Sequence, residues 1–158
     1  MTSNEVQEIS ARVQRAQQAL IDQINGLSDA AFRRIPAPGE WSIAQNLAHV
    51  CESQTMWVSR IEMLCREENP TLGRNPAEQE KRLDAVTNQI PASIGVALQR
   101  LKDANERVLS SIAGLSPVQL QRRGQHATYG EVTLQRWLEV LTEHLESHAQ
   151  QISQAKGG

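Results

Sequence analysis

The amino-acid sequence predicts an all-α protein, a four-helix bundle with long connectors. Alanine, leucine, glutamine, glutamate and arginine are abundant while β-branched residues are few, which favours helix over sheet. Apolar residues recur at three- and four-residue steps in four separate segments, and no segment alternates as a strand would. The length of 158 residues suits one domain, residues 1–158, with a single hydrophobic core.

The first predicted helix follows Ser3, a residue type that is favoured at the N-cap position. Gly26 is well placed to end this helix in a left-handed cap. The apolar stripe of the helix consists of Val6, Ile9, Val13, Ala16, Leu20 and Ile24. A connector over residues 27–40, which contains two prolines and a glycine, separates it from the next helix.

The second predicted helix begins at a capping box formed by Ser42 and Gln45, and it runs to about Arg66. Its stripe consists of Ile43, Leu47, Val50, Gln54, Trp57, Ile61 and Leu64. Residues 67–91 are polar and include three prolines and one glycine. They are interpreted as a long connector with a short helix around Ala77 to Val86.

The third and fourth helices complete the predicted bundle. The third has a stripe of Ile94, Leu98, Leu101, Ala104, Val108 and Ile112, and Gly114 can close it. The fourth is expected to begin near Glu131 to Thr133 and to run to about Gln154.

The second half of the sequence echoes the first. The stretch INGLSDAAFRR (24–34) is similar to IAGLSPVQLQRR (112–123), and GEWSIA (39–44) is similar to GEVTLQ (130–135). Two explanations remain open at this stage. Either a helix pair was duplicated, or both corners converged on the residues that favour helix ends.

Composition and charge argue against two classes of partner. The formal net charge is −2 with both signs interspersed, and no basic stripe with aromatic residues predicts nucleic-acid binding. The apolar runs are too short to span a bilayer, so no membrane association is expected. The N-terminal stretch MTSNEVQEIS carries acidic residues and no apolar signal core, so the protein is expected to be cytoplasmic.

The two cysteines, Cys51 and Cys65, are predicted to lie on the same helix. Their separation would be about 21 Å at about 1.5 Å per residue, which excludes a disulfide within the chain. Both are expected to be free thiols that pack as small hydrophobic residues in a reducing compartment.

Three of the four histidines are candidate metal ligands. His144 and His148 lie four residues apart, within about 40° of each other on a helix and on the flank of the buried stripe. Such a pair can bind one metal ion, although a solvated or hydrogen-bonded pair has the same spacing. His49 occupies a similar flank on the second helix. His126 falls in the connector before the last helix and is interpreted as a surface residue.

Two stretches of the chain resemble the DinB/YfiT-like family of proposed metalloenzymes. PGEWSIAQNLAHVCES (38–53) has a tryptophan, a helix-capping serine and an apolar run that ends in a histidine. HATYGEVTLQRWLEVLTEHLESHAQQI (126–152) has Gly-x-x-Thr-Leu at its start and His-x-x-x-His near its end. The Gly-Leu-Ser corners fit as well, whereas residues 67–91 add nothing specific.

This resemblance implies a four-helix bundle that holds a divalent metal at one end through His49, His144 and His148. Several members of the family are thiol-dependent enzymes, and many pack as dimers. We therefore expect a homodimeric enzyme that acts on a small molecule by thiol-dependent transfer or hydrolysis, with a low-molecular-weight thiol as a candidate cofactor. The alternative is a non-catalytic metal-binding or stress-response dimer module with the same fold.

The three imidazole ligands also limit which metals the site can bind. Neutral imidazoles suit zinc, nickel, iron(II) or copper, whereas calcium and magnesium prefer oxygen ligands. Three protein ligands leave a coordination position free, as in catalytic sites, where the metal can activate a bound water or thiol.

The sequence does not identify an acid or base partner for this metal. Glu52 lies on nearly the same helix face as His49, while Glu143 points about 100° away from His144. For both, solvation or a supporting contact to a ligand is expected. Tyr129 lies at the entry to the last helix, where it either lines a pocket or is exposed.

Overall fold

The computed structural model describes residues 3–157, which form seven helices and one two-stranded sheet. In chain order these elements are α1 (Asn4–Ile24), α2 (Asp29–Arg33), α3 (Ile43–Arg66), α4 (Pro76–Asn88), α5 (Ile94–Ala113), α6 (Pro117–Leu120), β1 (Arg123–His126), β2 (Gly130–Thr133) and α7 (Leu134–Gly157). None of the helices in this range is long and apolar enough to cross a membrane.

The four long helices α1, α3, α5 and α7 form the predicted four-helix bundle. Helix α1 packs against α5 and α7, and α3 packs against the same two helices. Each long helix turns its apolar stripe inward, and Leu20, Leu47, Leu101 and Leu141 are fully buried examples. Burying one such side chain contributes about 2 kcal/mol, so the stripes supply the main driving force for the fold.

The predicted helix starts are confirmed by their hydrogen bonds. The Ser3 side chain accepts from the backbone N–H of Val6. Ser42 and Gln45 form the predicted capping box, with distances of 3.1 Å and 2.9 Å for its two bonds. Gly26 has φ = 83°, the left-handed conformation that its position at the end of α1 predicts.

The two similar corners of the sequence also have similar structures. Ser28 caps the short helix α2 and Ser116 caps the short helix α6, and the large apolar residue four positions later is fully buried in each (Phe32 and Leu120). Because capping rules produce the same local structure, both duplication and convergence remain consistent with the fold.

The expectation that the chain has no strand is wrong. Strands β1 and β2 pair in antiparallel register, and Thr71 of the preceding connector forms an isolated parallel bridge with Gln125. Four-residue strands are too short to show an alternating pattern, and backbone hydrogen bonds hold this hairpin in place. Helix α7 therefore begins at Leu134, just after the predicted start, and the Thr133 hydroxyl accepts from the N–H of Arg136.

The connector between α3 and α4 is fixed against the rest of the molecule. A Cβ atom at Gly124 would lie 2.8 Å from the carbonyl oxygen of Pro70, so the close approach of the connector to β1 requires glycine there. Buried Arg60 of α3 donates to the carbonyls of Leu72 and Gly73, at 2.9 Å and 3.0 Å, and also pairs with Glu78.

The short helix predicted within the connector is confirmed, and it is longer than expected. Helix α4 has Asn75 as its N-cap and Pro76 in its first turn, and Asn75 forms a capping box with Glu78. The helix packs along α3.

Both cysteines are free thiols, as predicted, but they are half-buried and not fully enclosed. Burial raises the pKa of Cys51 to about 11 and raises the pKa of Cys65 as well. Both are therefore protonated at neutral pH, and neither has the lowered pKa of a reactive cysteine.

Candidate metal centre

The fold brings the three candidate ligands together where α3 meets α7. The ring centroid of His49 lies 5.6 Å from that of His144 and 5.0 Å from that of His148, and the two α7 rings are 4.4 Å apart. One ligand nitrogen from each residue lies within 4.8 Å of the other two. His49 and His148 are buried and His144 is half-buried, so the cluster lies at the edge of the core.

Local sequence explains why the rings converge. A spacing of four residues stacks the two α7 histidines on one face, while the capping box at Ser42 fixes where α3 begins and hence where His49 falls. The Trp41 ring, just before α3, lies 5.4 Å from the His49 ring and covers it.

Burial keeps two of the imidazoles uncharged. Desolvation, together with the neighbouring positive charges, lowers the pKa of His144 to about 3 and that of His148 to about 4. Both rings are therefore neutral at neutral pH, and the neutral ring is the form that binds metal ions.

The carboxylate of Glu52 lies beside the His49 ring. Glu52 Oε2 lies 3.5 Å from His49 Nδ1, and Arg74 binds both oxygens of the same carboxylate at 2.5 Å and 3.0 Å. Burial alone would raise the pKa of Glu52, but the contacts to His49 and Arg74 outweigh it and lower that pKa. Glu52 is thus an anion placed to orient the His49 ring, which is one of the two roles, solvation or a supporting contact, that were expected for it.

The donor set and one unpaired nitrogen fit a metal ion. His148 Nδ1 is buried and lacks a hydrogen-bond partner among the described residues, whereas His49 Nδ1 faces the Glu52 carboxylate at 3.5 Å. His144 Nε2 has Ser53 Oγ as a neighbour at 3.4 Å. Zinc–nitrogen bonds of about 2.1 Å keep ligand nitrogens within about 4 Å of one another, close to the 4.8 Å within which one nitrogen of each ring lies here.

A cavity of about 620 Å³ opens beside the cluster, and His148 forms part of its wall. This volume is in the range of small-molecule sites. The other walls come from the segment before α3, from α4 and from the last turns of α7, and they include Trp41, Asn46, Arg82 and Gln151. The histidine cluster is therefore open on one side to a molecule of modest size.

The remaining sequence candidates lie outside the cluster. Glu143 is exposed and pairs with Arg136 at 2.8 Å. Tyr129 is 47% exposed and packs on His126, so it does not line the cavity. His126 lies on β1 and is half-buried against Trp137, which corrects its interpretation as a surface loop residue but keeps it out of the site.

Two site residues, Arg74 and Arg82, were not predicted from the sequence. Both belong to the polar stretch 67–91, which has no periodic pattern from which a position could be inferred. Their placement depends on how this stretch folds back over α3, and that is a tertiary property.

A helical bundle that brings three histidines together beside a cavity belongs to the class of candidate metal-binding proteins. The chain belongs to the DinB superfamily, whose family model matches residues 12–152. The resemblance seen in the sequence is thereby confirmed.

Named relatives agree with this assignment. A protein of Oceanobacillus iheyensis named "Putative metal-dependent hydrolase" is 26% identical over 149 residues, which cover 94% of this chain and 83% of the relative. A protein of Bacillus mycoides with the same designation is 24% identical over 148 residues, covering 94% and 81% of the two chains.

Solved structures confirm the four-helix bundle. YfiT of Bacillus subtilis, described as a probable metal-dependent hydrolase with an unusual four-helix bundle topology, matches with a TM-score of 0.77 at 20% identity. That match covers 98% of this chain and 88% of YfiT. The mycothiol-dependent maleylpyruvate isomerase matches with a TM-score of 0.73 at 16% identity, over 91% of this chain but only 59% of the isomerase.

Proposed function

We propose that the protein is a metal-dependent enzyme that hydrolyses a small molecule, with a divalent transition metal held by His49, His144 and His148. The observation that carries this proposal is the convergence of three imidazoles beside a cavity, one of which, His148, has an unpaired buried nitrogen. The family membership and the hydrolase names of the relatives support it.

Each residue of the proposed site has a separate role. Three histidines would hold the metal and leave a coordination position free, where a bound metal lowers the pKa of a water or a thiol toward neutrality. Glu52, whose Oε2 lies 3.5 Å from His49 Nδ1, favours a proton on Nδ1 and hence the tautomer with a free Nε2, while Arg74 fixes the carboxylate. The cavity beside His148 admits the substrate.

Thiol-dependent transfer is the second candidate reaction. The same free position can activate a thiol in place of water. The specific support is the likeness in fold to a mycothiol-dependent isomerase, together with a cavity large enough for a small thiol as well as a substrate.

Metal content tests the proposal first. We expect purified protein to carry about one equivalent of zinc, nickel or iron by elemental analysis, and His148→Ala to lose it. His126→Ala is the matched control, since that histidine is half-buried outside the cluster and its loss should leave the metal content unchanged. Equal trace amounts in the wild type and in the triple alanine variant of the cluster would refute the metal centre.

Turnover separates the candidate reactions. The zinc-loaded protein and His148→Ala are compared on a panel of activated esters, amides and electrophiles, with and without low-molecular-weight thiols. Turnover without thiol that His148→Ala abolishes supports hydrolysis, and turnover only with thiol supports transfer. If fully metal-loaded protein turns over no compound on the panel, the result would favour the non-catalytic metal-binding or stress-response module.

We further propose that the protein is a homodimer, as its family resemblance implies. Analytical ultracentrifugation at micromolar concentration should then give a mass of about twice 17.6 kDa. A single monomer species would contradict it.

A further inference from the structure

Arg82, on α4, is an arginine without a counter-ion in the wall of the histidine cavity. Its guanidinium carbon lies 5.5 Å from the centroid of the Trp41 ring, and its Nε is buried without a hydrogen-bond partner. Within residues 3–157, no carboxylate lies within 4.0 Å of it. Arg82 as a whole is half-buried and borders the cavity. A ligand carboxylate in the cavity can therefore replace the water around the rest of its guanidinium.

Two neighbouring arginines show that this arrangement is unusual for the molecule. Arg60 is buried and binds two carbonyls and Glu78, and Arg74 binds both oxygens of Glu52. Arg82 lies on the same α3–α4 side of the bundle, but it packs on an aromatic ring and borders the cavity. The fold thus supplies carboxylates to two of these arginines and none to the third.

Arg82 and His148 line the same cavity. A molecule in this cavity would therefore contact Arg82 and His148 together.

The residues that line the rest of the cavity favour a ligand with a single negative charge. Of the described residues that line the cavity, Arg82 is the only lysine or arginine, and Glu40, exposed at the rim, is the only acid. Asn46, Gln151 and Gln154 supply neutral amides. A phosphate dianion would call for more positive charge, whereas one planar guanidinium matches the geometry of one carboxylate.

We propose that Arg82 is a specificity-determining residue that binds a carboxylate of the substrate beside the histidine cluster. The substrates are accordingly small carboxylic acids. Their carboxylate binds the Arg82 guanidinium while their reacting group reaches the three histidines. The specificity role rests on the proposed function, whereas the carboxylate-binding subsite can be measured without any metal. Trp41 holds the guanidinium plane in position.

Binding of butyrate and its neutral isostere butyramide tests the subsite. Dissociation constants are measured by tryptophan fluorescence on chelator-treated and on zinc-loaded protein. We expect wild type to bind butyrate about tenfold more tightly than butyramide, in the chelator-treated and in the zinc-loaded protein. This is the affinity that one charge-assisted hydrogen-bonded pair adds. Arg82→Met keeps an apolar stem over Trp41 and should remove the preference, and Arg82→Lys should retain only part of it.

Lys81→Met is the matched control. Lys81 is the next residue on α4 but lines a separate groove between α3, α4 and α5, so its loss should leave the butyrate preference intact. Circular dichroism checks the fold of each variant, and Arg82→Gln replaces Arg82→Met if the latter does not fold. An undiminished butyrate preference in a folded Arg82 variant, with or without zinc, would overturn the inference.

The two proposals fail in different ways. Protein that binds about one equivalent of metal but shows no butyrate preference refutes the carboxylate subsite and leaves the metal centre in place. Protein that holds no metal, yet shows a preference that Arg82→Met abolishes, confirms the subsite and refutes the metal-dependent function.

Discussion

Two buried polar clusters lie in the same bundle, and they differ in whether their polar atoms are paired. In the first, Gln17 donates to Gln54 at 3.1 Å and to the backbone carbonyl of Asn105 at 3.3 Å, and Gln54 donates to the Asn105 side chain at 2.9 Å. This cluster joins α1, α3 and α5. In the second cluster, which consists of the three histidines, His148 keeps a buried nitrogen with no partner among the described residues.

The difference indicates what each cluster is for. A buried polar atom without a hydrogen bond costs about 1–3 kcal/mol, so proteins rarely leave one unpaired unless a ligand completes it. The glutamine–asparagine cluster is complete in itself and specifies how three helices align. The histidine cluster leaves His148 Nδ1 unpaired, as expected of a site that a metal ion completes. The following experiments test that contrast from the largest expected effect to the smallest.

Metal removal should have the largest effect. A ligand that binds only the folded state at about 1,000 times its dissociation constant adds about 4 kcal/mol of stability, so EDTA should lower the melting temperature of metal-loaded protein by about 10 °C. Differential scanning calorimetry of wild type and His148→Ala measures this. The variant should not respond to EDTA, and an identical wild-type curve with and without chelator would refute a filled site.

Breaking the paired cluster should come next. Gln17→Ala leaves the Gln54 side-chain oxygen and the Asn105 carbonyl without this donor, and we expect it to cost about 3 kcal/mol in urea denaturation. Gln18→Ala is the control, because that glutamine is exposed and bonds only locally to Asp22; its cost should stay within about 0.5 kcal/mol. Equal losses in the two variants would show that the cluster is not structural.

Removal of the Glu52 charge beside His49 should have a smaller effect than either of these changes. Glu52→Gln removes the negative charge beside His49 and leaves Arg74 without its ion pair, so zinc affinity should fall about 10- to 100-fold in competition with a chromophoric chelator. Glu143→Gln neutralises an acid next to His144 in sequence that faces solvent, and it should leave the affinity unchanged. If both variants bind zinc as wild type does, Glu52 has no supporting role.

The smallest effect concerns a partly exposed ion pair. Burial alone would raise the pKa of Glu78, but its contacts with Arg60 and Asn75 outweigh this and lower it. The pair therefore contributes stability above the ordinary glutamate pKa of about 4.3, and this contribution is lost as the pH falls through the lower folded value.

We expect wild type to exceed Glu78→Gln in stability by at most about 1 kcal/mol at pH 7, because solvent screens the pair. Urea denaturation from pH 7 to pH 3 should show the gap closing below about pH 4. A gap that stays constant over that range would assign the effect to packing, since glutamine can still form the capping box.

The bundle was predictable because its signals are local. Stripes at helical spacing and caps such as Ser3 and Ser42 define each long helix without reference to the others. The histidine cluster was nearly as predictable, since two candidate ligands lie one turn apart on α7 and the third lies on the same kind of helix flank.

What could not be predicted depends on contacts between distant segments. The hairpin lacks a side-chain pattern and is held by backbone bonds, including one from Leu72 to Gln125 at 2.8 Å. Arg82 belongs to a polar stretch, and only the packing of α4 on α3 places it beside His148. No spacing rule relates two residues that are 66 positions apart and on different helices.

The tethering of the α3–α4 connector by Arg60 has an evolutionary consequence. The three histidines lie on two long helices that also form the core, whereas Arg82 arrives on a separate short helix anchored beside them. If Arg82 selects the ligand as proposed, exchange of that short helix between homologues would alter which molecules bind while the three histidines stay in place. Selection would then retune binding by rewriting about a dozen residues, provided that Glu78 keeps its pair with buried Arg60.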